Sequence, residues 1–191
     1  MTQKLKLCLG MAGLALLIII AAFAYNSFAG RGSPVVHLAL SEEQDHDYTQ
    51  RQRAPDFSLT DRDGNSLRFS DIIAGGKPVI LNFWASWCPA CRNETPGFER
   101  VYRERGEEVK FVMLNLTDGV RETVQTVQRY IEDGGFTLPV YFDTLQEGAI
   151  AYAVRFLPST VFIDSDGYIV AAMQGVVDED TLRIVIDLML P

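Results

Sequence analysis

Two cysteines three residues apart, Cys88 and Cys91, lie between an apolar run and a helical stretch, and this junction constrains the chain more than any other feature. The run Pro78-Val79-Ile80-Leu81-Asn82-Phe83-Trp84 is short, β-branched and aromatic, as a strand buried on both faces should be. The stretch that Cys88 opens reads as a helix to about Arg105. Residues i and i+3 on a first helical turn face one another, so the two sulfurs can close a small ring. Cys88 falls where helix N–H groups lack partners and the macrodipole is positive, which favours a thiolate. Pro89 suits the first helical position, where its missing N–H would have no partner. Thiol–disulfide exchange needs an attacking thiolate and a second thiol to release the mixed disulfide. Cys88 is expected to be the exposed nucleophile and Cys91 the buried resolving thiol. A lone CxxC is a weak signal, but one set between a buried strand and a helix is strong.

The rest of the composition removes competing readings. The only other cysteine is Cys8, so a disulfide-stapled scaffold does not fit. Zinc normally takes four ligands, and His37 and His46 lie far upstream of the pair, so no metal and no cofactor are expected. The formal net charge of -8 argues against nucleic acid as a partner and is read as a solvated surface. A chain of 191 residues has room for one domain of roughly 140 residues and a smaller part.

That smaller part is N-terminal. From Leu7 to Gly30 no residue is charged, and Leu9 to Ala24 is almost wholly apolar, enough to span a bilayer as a helix. Residues 1–6 are read as a cytoplasmic tail, 7–29 as a transmembrane signal-anchor, 30–53 as a linker and 54–191 as the folded domain. Lys4 and Lys6 precede the span and only Arg31 follows closely, so the N-terminus stays inside. The protein is then single-pass in the cell membrane with its domain outside the cytoplasm. Ser27-Phe28-Ala29 also fits a cleavage site, and a cleaved signal would export the same domain.

Within the domain, Asp56-Phe57-Ser58-Leu59 and Ser66-Leu67-Arg68-Phe69 alternate around Asp61-Arg62-Asp63-Gly64, a hairpin pattern. Val109 to Leu116 reads as a second buried strand. Val120, Val124, Val127 and Ile131 fall at helical spacing, ended by Gly134-Gly135. Pro139 to Phe142 is a short strand and Gln146 to Val154 a short helix. Thr160–Ile163 and Tyr168–Ala172 form a hairpin, and a helix from Asp178 to Leu190 closes the chain with Asp178 as N-cap. The class is α/β, a mixed central sheet flanked by helices.

Here the chain resembles a known family. FWASWCPAC after VILN is similar to the active site of thioredoxin-like proteins, in particular the membrane-anchored TlpA/ResA-type thiol-disulfide oxidoreductases and their cytochrome c maturation relatives. Pro96, five residues after Cys91, matches the family's helix kink. Leu157-Pro158-Ser159-Thr160 resembles its cis-proline loop. The hairpin from Asp56 to Phe69 and the helix–strand unit from Val120 to Phe142 resemble the additions of that branch.

The resemblance implies a thioredoxin-like fold over roughly 54–190 and a catalytic set of Cys88, Cys91 and Glu94. Glu94 stands where ResA-like proteins carry a glutamate that serves the site. On a helix it lies one turn from Cys91, where a carboxylate raises thiol pKa values or relays a proton. Trp87, Pro89, Leu157 and Pro158 are expected to border the substrate, and Trp84 to pack in the core. Asn82 replaces the buried aspartate of many thioredoxins and cannot take a proton. Phe156 replaces the glycine usual two residues before the proline. The rival activities are a thiol peroxidase, which resembles its relatives in a Thr where this chain has Ala85, and a disulfide-forming oxidase, whose thiolate is helped by a His where this chain has Ala90. A reductase of protein disulfides, acting as a monomer, is favoured. Its implied electron donor is a CcdA-type membrane protein, and its candidate client is apocytochrome c.

Overall fold

The computed structural model describes the backbone of Val36–His37 and residues 52–190. The anchor at 7–29 and most of the linker at 30–53 lie outside the described residues. Among the described residues no helix is long and apolar enough to cross a membrane.

Eight strands form one mixed sheet. In chain order they are β1 (Val36–His37), β2 (Ser58–Thr60), β3 (Ser66–Arg68), β4 (Val79–Trp84), β5 (Lys110–Asn115), β6 (Val140–Phe142), β7 (Ser159–Ile163) and β8 (Ile169–Gln174). Across the sheet the order is β1-β8-β7-β4-β5-β6-β2-β3. β4, β5 and β6 run parallel, while β7 and β8 are antiparallel to their neighbours. The helices are α1 (Phe69–Ile73), α2 (Pro89–Arg105), α3 (Val124–Gly134), α4 (Glu147–Ala151) and α5 (Glu179–Met189). β1 pairs with β8, so a piece of the stretch read as linker is drawn into a sheet edge.

β4 is central and buried at every position, as its unbroken apolar run requires. The alternation of side chains along it splits the core in two. Val79, Leu81 and Phe83 pack on one face with Phe57, Leu59 and Phe69. Ile80 and Trp84 pack on the other with Phe98 of α2, Val127 and Ile131 of α3, and Leu182 and Ile186 of α5. Each such fully buried side chain contributes about 1.5–3 kcal/mol through removal of apolar surface from water. Asn82 shares the parity of Ile80 and Trp84, and therefore points toward the face that α2 covers.

Three local expectations are corrected. The second hairpin strand ends at Arg68, and Phe69 opens α1 instead of closing the strand. The Phe69 N–H donates to the Phe57 carbonyl at 2.9 Å, and Asp56 accepts from the Ser70 N–H at 2.8 Å, supplying an acceptor that Arg68 lacks. Val120 lies before α3 and is 90% exposed. Asp118 Oδ1 holds the N–H groups of Val120, Arg121 and Glu122, and the helix starts at a reciprocal cap between Thr123 and Thr126. The helix expected from Gln146 to Val154 spans only Glu147–Ala151, bounded by positive φ at Gln146 and Ala153. Asp178 caps α5 as its sequence position suggests, accepting from the Thr181 N–H at 2.8 Å.

Candidate active site

β4 ends at Trp84, and Ala85–Trp87 turn the chain into α2. The Cys88 N–H closes this turn on the Ala85 carbonyl at 3.1 Å. Cys88 itself is the N-cap of α2, with Pro89 at the helix start, and its sulfur accepts from the Cys91 N–H at 3.2 Å. The two cysteines form a disulfide with their Cα atoms 5.3 Å apart. Cys88 is only 4% exposed and Cys91 is fully buried. The nucleophile expected to be exposed is thus nearly covered in the disulfide form, because its sulfur is engaged by its partner and by the helix's own N–H.

Trp87, directly before the pair, is 41% exposed, and the Arg121 guanidinium lies 3.6 Å from its ring centroid. Trp84 is buried against Tyr130 instead. β7 begins opposite Phe83, beside the strand end from which the redox turn departs. The Leu157–Pro158 peptide at its start is cis, and the Pro158 carbonyl accepts from the Gly175 N–H at 2.9 Å. Leu157 packs against both core clusters, while Phe156 is 65% exposed next to it.

Glu94 lies one helical turn below Cys91 and is 3% exposed. Its Oε1 accepts from Asn82 Nδ2 at 2.9 Å and its Oε2 from the Val177 N–H at 3.0 Å. Burial pushes the carboxyl up to about 7, against the opposing pull of the Val177 and Asn82 hydrogen bonds. Asn82 also donates to Thr160 Oγ1 at 3.0 Å, while its own Oδ1 is buried without a partner. Asn82 cannot carry a proton, but it holds the group that does.

A second buried carboxylate was not legible from the sequence. Glu122, 1% exposed, accepts from the Ser86 N–H at 2.6 Å, from Ser86 Oγ at 2.8 Å and from Asn115 Nδ2 at 2.7 Å. Ser86 and Glu122 are 36 residues apart, and no linear spacing signals their meeting. Arg121, its neighbour, was equally unforeseen.

A model described as the AhpC/TSA family matches residues 50–172. The chain belongs to the AhpC/TSA family. Among curated relatives, the thiol-disulfide oxidoreductase ResA of Bacillus subtilis (strain 168) is 32% identical over 181 residues, covering 92% of this chain and 90% of that protein. ResA of Geobacillus thermodenitrificans is 29% identical over 176 residues, 91% of each chain. The crystal structure of StoA from Bacillus subtilis superposes with a TM-score of 0.60 at 26% identity, covering 71% of this chain and 98% of that one. This AhpC/TSA-family member is therefore a ResA-like thiol–disulfide oxidoreductase of thioredoxin-like fold, with its cysteine pair at the start of α2.

Proposed function

We propose that the protein is a reductase of disulfides in exported proteins, held at the outer face of the cell membrane by its N-terminal apolar segment. The observation that carries the direction is the buried Glu94 carboxyl beneath Cys91, raised to about 7. A carboxylate in a low-dielectric site disfavours a second negative charge beside it, so the thiols of the reduced pair stay protonated. A dithiol whose thiolate is poorly stabilised returns readily to the disulfide and so gives up its electrons.

In each turnover Cys88 gives up its proton and, as the thiolate, attacks one sulfur of the substrate disulfide and expels the other as a thiolate, which takes up that proton. Cys91 loses its proton to Glu94 and attacks the Cys88 sulfur, releasing the second substrate thiolate, which takes that proton from Glu94. The substrate gains two electrons and two protons, and the pair is left as the Cys88–Cys91 disulfide. Trp87 and the loop at Leu157–Pro158 flank the pair and hold the incoming chain, the carbonyl before a cis proline being free to pair with an extended peptide. Re-reduction falls to a CcdA-type membrane donor, and apocytochrome c is the favoured client. The ResA relatives support the chemistry, and the uncharged stretch from Leu7 to Gly30 supports the address.

Trapping tests this reading. Cys91→Ala leaves the mixed disulfide unresolved, and its adduct, reached by membrane-impermeant reagents in intact cells, should contain apocytochrome c. Cys88→Ser should form no adduct and lose insulin reduction, with no peroxide turnover in either form. Insulin reduction that survives in Cys88→Ser overturns the proposed chemistry. Clients that accumulate reduced when the Cys91→Ala protein replaces the native one reverse the direction to oxidation.

A further inference from the structure

We propose that Glu122 is a positioning residue for the redox pair. It clamps the turn that carries Cys88 and sets how readily the two sulfurs close into a disulfide. The inference rests on exchange at Cys88 and Cys91, but not on the direction of electron flow or on any client.

Every polar group of Ser86 is engaged. Its N–H and hydroxyl both donate to the Glu122 carboxylate, and its carbonyl accepts from the Arg92 guanidinium at 3.5 Å. Ser86 lies two residues before Cys88, within the turn closed by the Cys88 N–H on the Ala85 carbonyl. A shift at Ser86 is therefore passed directly to the Cys88 sulfur.

The other side of the clamp is equally fixed. Asn115, the third donor to Glu122, is the last residue of β5 and pairs with Trp84. Its Oδ1 accepts from Thr117 Oγ1 at 2.8 Å, and its carbonyl accepts from the Asp143 N–H at 2.9 Å. The Glu122 backbone is held in turn by Asp118 Oδ1. Arg121 reaches outward from the same loop onto Trp87, so consecutive residues grip the redox turn from within and from without. A buried acceptor bound by three donors is geometrically demanding.

Forming the ring requires the two sulfurs to be held at bonding separation, and fixed geometry raises their effective concentration. Loosening the turn lowers that concentration and weakens the disulfide relative to the dithiol. Glutathione reads this directly. One glutathione disulfide is reduced to two glutathione thiols as the Cys88 and Cys91 thiols are oxidised to their disulfide. A clamp that only supported the fold would stabilise both redox forms alike and leave this equilibrium constant unmoved.

Glu122→Gln replaces one acceptor oxygen by an NH2 group that faces donors, while keeping shape. Its equilibrium constant against glutathione should fall about ten-fold, or about 30 mV for a two-electron couple. Ser86→Ala, which removes the hydroxyl and keeps the backbone bond, should lower it about three-fold. The two changes together should fall short of the product of their separate effects, because they break one contact. A folded Glu122→Gln protein with the native equilibrium constant overturns the proposal. If that variant does not fold, a native constant in Ser86→Ala overturns it equally.

Discussion

Helix α2 buries two glutamates, Glu94 near the cysteines and Glu99 farther along, and the two answer burial in opposite ways. Loss of water pushes both carboxyls up. Glu94 has only an amide side chain and one backbone N–H to offset this, and it rises to about 7. Glu99 accepts from the Thr137 N–H and hydroxyl, each at 2.7 Å, from the Leu138 N–H at 3.1 Å and from the Arg103 guanidinium at 2.7 Å. These partners outweigh desolvation and hold its carboxyl below the ordinary range. Deeper burial and a poorer donor set together separate a carboxyl able to exchange a proton near neutrality from one that ties a loop to a helix.

The largest effect should come from removing the charge at Glu94. Its folded value lies above the 4.5 of the free side chain, so its contribution to stability is complete below 4.5 and is lost as pH rises through about 7. The loss amounts to about 3 kcal/mol. In the oxidised protein, Glu94→Gln should lack this fall between pH 5 and pH 8 when unfolding free energies are compared. In the reduced protein its thiol midpoints should fall, the titration belonging to the coupled group. Wild-type behaviour in both measurements would remove Glu94 from the chemistry.

Glu99→Gln should cost about 2 kcal/mol at pH 7, since an amide cannot accept from all four donors. The sign with pH is reversed: the advantage of Glu99 is present above 4.5 and vanishes as pH falls through its lowered value. Insulin reduction should be unchanged, and a slowed rate would erase the distinction between the two glutamates. The smallest effect is that of Asn82→Ala. Without the amide donor, the Glu94 midpoint should rise by roughly half a unit, less than 1 kcal/mol, visible in the carboxyl infrared band. An unmoved or lowered band would show that Asn82 does not restrain Glu94.

The parts legible in the sequence are those whose signal is local. The buried strand, the cysteines at the helix start and the Asp178 cap each depend on neighbours within a few residues, and each was readable. Glu94 was readable too, because one helical turn converts spacing into a shared face. Phe69 was misread because its alternation with Leu67 continues a strand pattern, whereas the stacking of its ring on Phe57 at 4.7 Å decides the backbone. Val120 kept helical spacing by coincidence, and the Asp118 turn that excludes it from α3 is set by side-chain acceptance rather than by hydrophobic period. Asn82 could be seen as a departure, but its partners Glu94 and Thr160 lie 12 and 78 residues away. Glu122 stayed hidden for the same reason.

Pro96 lies between the two glutamates on α2. It has no N–H, so the ladder loses the rung that would reach the Arg92 carbonyl, and the Thr95 hydroxyl bonds back to the Cys91 carbonyl at 2.8 Å. Mechanically, the helix is a jointed rod. Its long arm is bolted to the loop at Thr137–Leu138 through Glu99, and its short arm carries the sulfurs. The missing rung at Pro96 thus separates the turn that carries the sulfurs from the part of the helix that Glu99 fastens.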